Sequence, residues 1–417
     1  MRGGWVRDYW VFFAASLLAL LSVNFIVYSS GWYLLHLGSS PMSVGVSFFL
    51  FFAPGVLILP IMSTALARKG VARSLVKLQV GSASTVAAIG VWLLFSPSPA
   101  AAYILIATLG MFFGYYFPSL YVLVKRIVPM EHVPQRVAQL EVAVQLGSIL
   151  GVVAAGFLFA HLGFVFLVFS SAAMALLAGF SYACITPGIV DGDEHPRDSQ
   201  KGWAFGSTVK CLGNLVSRQE ARSRGWFLVC HGLPQVVVLS LNIPILLYVQ
   251  DSMKAGSDIY GIFDGIFGVG SMLAGFACMR FSALFGKKAF AIALPVGTMI
   301  VIAIARYVPT DGIAPFAWIF MASFVLGITK VQGRTLAIQL FSASQASGEI
   351  VATQMLNTII LLLSCWVFTI LSADVSAEDI FAISAFILVP YVITLLITTG
   401  LARDEHANTQ QGAVRSR

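Results

Sequence analysis

Twelve apolar stretches, each long enough to cross a bilayer, take up almost the whole of this 417-residue chain. A membrane-spanning helix needs about 20 predominantly apolar residues. Hydrophobic residues make up 58% of the sequence and charged residues 10%, with a mean hydropathy of +0.88. Spans are expected over residues 10–35, 43–65, 76–95, 101–124, 137–160 and 164–186, and again over 226–250, 259–279, 289–307, 315–330, 349–371 and 380–401. In lipid every backbone donor must be paired within the structure, and these runs are too long for barrel strands, so the spans are read as helices. The expected fold class is an all-α membrane protein of twelve transmembrane helices in two pseudo-symmetric six-helix bundles.

The 25 Lys and Arg residues set the orientation, because all but Lys254 and Arg306 fall at the amino end, in alternate gaps, in the middle segment or in the tail. By the positive-inside rule both termini are expected in the cytoplasm. The opposite gaps are short and mainly acidic, with Asp251, Asp258, Asp311, Asp374, Glu378 and Asp379. The net charge of +7 is therefore a signal of topology, and no nucleic-acid partner is read from it. The apolar run after the basic amino end is too long for a signal-peptide core and is read as the first span. Cys184, Cys211, Cys230, Cys278 and Cys365 show no CxxC spacing, so neither disulfides nor a metal site is expected.

Residues 1–188 form the expected first bundle, 189–225 a cytoplasmic linker, 226–402 the second bundle and 403–417 a cytoplasmic tail. In the linker Phe205, Val209, Leu212 and Val216 recur at helical spacing, with Lys210, Asn214 and Arg218 on other faces. That pattern reads as an amphipathic helix on the inner leaflet, or as a plain coupling helix between the bundles.

The halves look like copies. Gly45, in the segment SPMSVGVSFFLFFAPG, and Gly261, in GSDIYGIFDGIFGVG, stand 216 residues apart, and the entries to the fifth and eleventh spans, Pro134 to Arg136 and Ser347 to Glu349, stand 213 apart. Parallel repeats of this kind bring solute groups to their interface near the midplane, and rocking of one half against the other alternates access. The architecture suggests a transporter.

At these residues the sequence resembles the major facilitator superfamily, in particular its bacterial exporter branch of siderophore and drug efflux proteins. The resemblance spans residues 8–402. It is carried by LLYVQDSMKAGSDIYGIFDGIFGVGSMLAG from Leu246 and by VPMEHVPQRVAQLEVAVQLGSILGVVAAG from Val128. The family's GxxxDRxGRR signature after the second helix is eroded here. Arg68 and Gly70 match and Arg73 follows, but Ser63 replaces the first glycine and Ala67 the aspartate thought to lock the cytoplasmic gate. Where relatives often carry Gly-Arg, this chain has Gly348 and Glu349. The expectation is a rebuilt gate in which Glu349 meets Arg68, Arg73 or Lys125.

Ionisable groups inside the hydrocarbon are costly and usually face a cavity. Glu141 begins a polar stripe with Gln145 and Ser148 on the fifth span, and is read as a proton-exchanging carboxylate or as the partner of Lys125 or Arg126. Asp264 stands five residues into the eighth span where the repeat-related position is Phe48, an asymmetry that favours proton coupling or binding of a cationic group, with a plain outer-rim carboxylate near water as the alternative. Asp258 is read as the N-cap of that span. His231, Gln235 and Asn242 form an expected stripe through the seventh span, Gln354, Asn357 and Ser364 another through the eleventh, and Asn24 with Tyr28 a third on the first. These neutral groups, with Tyr115 and its neighbour Tyr116 beside Gly110 and Gly114, suit a polar solute, or serve as bonds between helices. Prolines at 54, 60, 118, 234, 244, 295 and 390 are expected kinks.

No GxxxxGK[ST] loop, HExxH or GxSxG is placed for nucleotide use or hydrolysis, so no catalysis, cofactor or metal is expected. The leading reading is a monomeric secondary transporter in a bacterial cytoplasmic membrane, its partners lipid, protons and a small solute. The resemblance implies export, with a siderophore or related metabolite as the expected cargo and protons exchanged for it. Multidrug efflux, nutrient import and a non-transporting membrane protein, such as a signalling receptor or a lipid-handling enzyme, are the other readings.

Overall fold

The computed structural model describes residues 4–68, 71–129, 133–185, 222–280, 288–340 and 346–398. The chain winds through α1 (Gly4–His36), α2 (Met42–Arg68), α3 (Val71–Phe95), α4 (Pro99–Ile127) and α5 (Val133–Ala183). After the linker come α6 (Arg222–Cys230), α7 (Leu233–Ser240), α8 (Asn242–Leu247), α9 (Ser257–Arg280), α10 (Lys288–Ala303), α11 (Ala314–Leu340), α12 (Ala346–Leu371) and α13 (Ala377–Ala385). Among the described residues, nine helices are long and apolar enough to cross a membrane, with two shorter apolar ones at Met42–Ile58 and Ile292–Tyr307. The chain is an integral membrane protein. Large apolar side chains such as Leu57, Phe95, Phe180 and Leu363 are exposed, an arrangement stable only where acyl chains replace water.

Local chemistry explains several boundaries. Pro99 opens α4 at a position whose N–H would be unpaired in any case, and the Ser98 hydroxyl accepts from Ala101 N–H at 3.3 Å. The long α5 is two helices joined at Gly163, where φ is +77°, a left-handed conformation that a side chain would resist. The fifth and sixth expected spans meet there. Ser376 caps α13 by accepting from the Asp379 N–H, while its hydroxyl donates to the Asp379 carboxylate.

Two expectations are corrected. The seventh span is not one continuous helix: α6 ends at Cys230, His231 and Gly232 form a turn, α7 ends at Ser240, and α8 passes into a π-helical turn at Tyr248–Ser252. Pro234 has no N–H to extend the ladder from α6, and Gly232 imposes no helical preference, so the chain restarts at Leu233. His231, Gln235 and Asn242 therefore belong to a broken rod, not to one stripe. Asp258 lies in the first turn of α9, one residue inside its start at Ser257, instead of capping it. It still offers negative charge to the positive helix end.

The chain divides into two compact units. The first holds residues 1–205 together with Ile245–Gly268 and Leu362–Val375. Its interior gathers Tyr9, Phe12, Leu20, Leu75, Tyr116, Leu140 and Tyr182. Buried hydroxyls there bond one another. Ser22 and Ser171 each donate to the other's carbonyl, at 2.9 and 2.8 Å, and the Tyr182 hydroxyl stands 3.1 Å from Ser16 Oγ and 3.0 Å from the Tyr116 hydroxyl. Arg136, entering α5, lies 4.7 Å from the Tyr9 ring centre and 5.4 Å from that of Trp5, and it donates to Gln139 at 2.7 Å.

The second unit holds 206–244, 269–361 and 376–417. Phe227, Cys230, Leu233, Ala337, Tyr391 and Leu395 make a core within it, Trp318 donates to the Val301 carbonyl at 2.7 Å, and Thr298 and Thr329 hydroxyls meet at 3.0 Å. Cys184, Cys230, Cys278 and Cys365 are free thiols. Cys211, the amphipathic segment 205–216, Gly70 and the tail lie outside the described residues.

Candidate functional site

In the first unit, two seams bring repeat-related residues into the same relation. A Cβ on Gly45 of α2 would fall on the Thr369 side chain of α12, and four residues on, the Phe49 ring lies 5.8 Å from that of Trp366. A Cβ on Gly261 of α9 would stand 3.1 Å from Gly156 Cα and 3.0 Å from the Val152 carbonyl oxygen of α5; four residues on, Gly265 faces Val153. Gly45 and Gly261 are 216 residues apart, and Gly156 and Thr369 are 213 apart, the two offsets read from the sequence repeat. Ser257 adds a bond, its hydroxyl donating to the Gly156 carbonyl at 3.3 Å. Small residues at these crossings let backbones touch, where dispersion contacts hold membrane helices together.

Helix α1 lies along the second seam. Asn24, Tyr28 and Trp32 recur every fourth residue and so share one face; all three are partly exposed. Opposite them on α9, Tyr260 and Asp264 also stand four apart and are buried, at 1% and 6% exposure. The antiparallel run pairs them in rungs. The Trp32 and Tyr260 rings are 5.8 Å apart at 52°, and one turn further Tyr28 lies within electrostatic reach of Asp264. A third rung turns to α5, with the Asn24 amide donating to Ser148 Oγ at 3.3 Å, next to partly exposed Gln145. Three buried polar atoms of this set have no hydrogen-bond partner: Trp32 Nε1, the Tyr260 hydroxyl and Asp264 Oδ1.

The second unit gathers the other group of candidates at the break before α7. The Asn357 side-chain amide of α12 occupies the space a Cβ on Gly232 would need, leaving its buried Oδ1 without a partner. His231 Nδ1 sits 2.6 Å from the Leu228 carbonyl, and Arg334 of α11 lies within its electrostatic reach. Gly333, next to Arg334, packs on the His231 carbonyl and the Tyr391 hydroxyl. Gln235 is partly exposed one turn on, Gln354 is exposed, and Asn242 is buried with its amide donating to the Leu239 carbonyl at 2.8 Å.

The model of the Major Facilitator Superfamily matches residues 11–238. The chain belongs to that superfamily. A search of the curated proteins finds no match. Among solved structures, the nucleoside transporter NupG aligns with a TM-score of 0.71 at 11% identity, covering 94% of this chain and 98% of that one. A peptide transporter of the POT family gives 0.72 at 13%, covering 95% of each. A bacterial homologue of the iron transporter ferroportin, in an inward-facing state, gives 0.67 at 14%, covering 94% and 98%. At such identities the likeness is one of fold. This superfamily member is thus a membrane transporter by family and architecture, and not an enzyme.

Other candidates fall elsewhere. Tyr115 is buried at 7% exposure in the apolar interior of the first unit, its carbonyl accepting from Ser119. Arg73 is exposed near the start of α3, and Arg68 ends α2. Glu141 lies within α5 and Glu349 within α12, with side chains outside the described residues, as are those of Arg68 and Lys125. Sequence reasoning missed Trp32, Tyr260 and Arg334. The signal for the first two was spacing alone, since Trp32 continues the Asn24 and Tyr28 register and Tyr260 stands one turn before Asp264. Arg334 was counted as a topology charge.

Proposed function

We propose that this chain is a twelve-span, proton-driven exporter of a small polar organic solute, of the siderophore or secreted-metabolite kind. It works as a monomer in a bacterial cytoplasmic membrane with both termini inside. The observation that carries the reading is Asp264, a buried carboxylate with an unpartnered oxygen at a helix crossing that the other repeat closes with Phe48. A carboxylate isolated inside the membrane is expensive unless it holds a proton or a cation, so the position suits a group that exchanges one for another during transport. Glu141 is assigned the same task further along the first bundle. Asn24, Tyr28, Gln145, His231, Gln235, Asn242, Gln354 and Asn357 are proposed to contact solute, with Tyr115 supporting them from behind. Arg68, Gly70, Arg73 and Glu349 are assigned to the cytoplasmic gate.

In the conformation described, the seams at Gly45 and Gly261 are shut at the ends assigned to the outer side. That suits the half of an export cycle in which solute loads from the cytoplasm. The test uses inverted membrane vesicles from cells that overproduce the protein, energised to pump protons inward. Culture supernatants of producing and non-producing cells supply the solute, followed by mass spectrometry. A compound that accumulates in vesicles only with the proton gradient, and only with the protein, supports antiport export. Solute that leaves those vesicles with protons would instead establish import.

A further inference from the structure

We propose that Asp264, Tyr28, Tyr260 and Trp32 form a subsite for an organic ammonium group, and that solute and proton compete for the one carboxylate. This rests on the exporter reading above and gives it a substrate class: a metabolite with a protonated amine or quaternary nitrogen.

Several buried hydroxyls elsewhere in the same unit are paired. The hydroxyls of Ser22, Ser171, Ser16, Tyr116 and Tyr182 all bond one another or a carbonyl. Against that background, Asp264 Oδ1, the Tyr260 hydroxyl and Trp32 Nε1 stand unpartnered within two helix turns of one another on facing helices. Groups that acted only as bonds between helices would have made those bonds. Beside the carboxylate the site gathers three aromatic side chains, Tyr28, Tyr260 and Trp32. Trp32 and Tyr260 are in ring contact, and Tyr28 stands at the next rung beside the carboxylate. Aromatic faces attract cations through their quadrupole, and a carboxylate behind them supplies the counter-charge, the combination that recognises ammonium ions. Tyr28 and Trp32 are the partly exposed members, while Tyr260 and Asp264 are buried.

The titratable groups facing Asp264 are Tyr28 from α1 and Tyr260 from its own helix. From α5 the seam presents Val153 and the Gly156 backbone, and behind α9 the Tyr248 ring packs on Phe263 at 5.8 Å. No second charge appears among these described contacts. Loading the ammonium therefore breaks the carboxyl O–H bond, leaves the electron pair on the carboxylate and passes the proton to water. Reprotonation from the other side releases the solute.

The full-length protein, purified in detergent, is titrated with benzyltrimethylammonium, whose charge does not change with pH, and heat and released protons are followed together. Wild type should bind with about one proton released per cation while the carboxyl is protonated, its affinity rising up to about tenfold per pH unit over that range. Asp264→Asn should weaken binding at least about tenfold and remove the pH dependence. Asp264→Glu should keep the dependence, so a fault in folding is told apart from loss of the charge. Trp32→Leu should weaken binding roughly three- to tenfold and leave the proton count unchanged. Absence of binding by wild type at about 10 mM, or equal affinity and pH response in Asp264→Asn, overturns the subsite. Proton-competitive binding in detergent without gradient-driven solute movement in vesicles would leave the subsite standing and remove the exporter reading.

Discussion

At one seam of the first unit Gly45 meets Thr369 and Phe49 meets Trp366; at the other Gly261 meets Gly156 and Gly265 meets Val153. The positions correspond by the repeat offsets, yet the chemistry differs. The first seam carries large rings beside its glycine, with Phe48 buried at 3% exposure. The second has removed the ring at 265 and put a carboxylate at 264. Two joints that close alike need not open alike. An apolar joint is held by packing that is indifferent to ions, whereas a joint holding an isolated carboxyl is sensitive to whatever neutralises it. On the proposed exporter reading, the repeat supplies the joint and the departure from the repeat its control.

The largest expected effect comes from wedging the second seam. A side chain on Gly261 would meet the Val152 carbonyl and the Gly156 backbone at about van der Waals limits or closer, and backbone cannot rotate aside as a side chain can. Gly261→Leu should keep the seam from closing and abolish transport. Membrane-impermeant maleimide on a cysteine placed at Ser257 should label it several times faster than in the otherwise unchanged protein. Gly265→Ala is the contrasting case, because its neighbour is a Val153 methyl that can shift, and a loss of no more than about 1–3 kcal/mol in stability is expected. Equal labelling of both variants would break the distinction between the seams.

Making the seams alike is the next test. Asp264→Phe installs the residue that the other repeat carries at Phe48. Removing a buried, unpartnered carboxyl and adding a ring should leave thermal stability unchanged or raise it by about 1–3 kcal/mol if the ring fits, while proton-driven transport is lost. The reverse change, Phe48→Asp, should destabilise the protein by several kcal/mol, about the 3–5 kcal/mol of a core phenylalanine deletion, and confer no new pH response. Melting of the two variants in detergent, followed through tryptophan fluorescence, checks both signs. A stabilised Phe48→Asp would mean that the first seam is as ready to hold a charge as the second.

Much of this joint was legible in the sequence. The repeat offset between Gly45 and Gly261 could be read because glycine at a crossing leaves a conspicuous gap in an apolar run, and Asp264 because charge in a span is rare. Trp32 and Tyr260 were not, since aromatic residues are as common in lipid-facing positions as in sites and composition alone does not separate them. The break at His231 and Gly232 was missed for a related reason. Hydropathy counts side chains, while the break is a matter of backbone hydrogen bonds, and its only marks were Gly232 and the Pro234 already read as a kink. The Asn357 amide fills the room left by Gly232, a pairing across 125 positions of sequence that no local pattern reveals.

The smallest effect sharpens the comparison from the apolar side. Phe49 and Trp366 are in tilted ring contact at 5.8 Å, and Trp366 is 45% exposed, so part of its surface already lies against lipid. An aromatic pair adds roughly 0.5–1.5 kcal/mol beyond the area it buries. Partial exposure places this pair at the lower end, because lipid chains replace much of what the partner ring provides. Phe49→Leu should therefore cost about 0.5 kcal/mol in a double-mutant cycle with Trp366→Leu, and the pH dependence of transport should keep its shape. A shifted pH profile in Phe49→Leu would show that the two seams move as one body and that control is shared between them. An unchanged profile with a small loss of stability would localise control at the seam holding Asp264, since the apolar joint would then be altering only how firmly the protein closes and not what it closes upon.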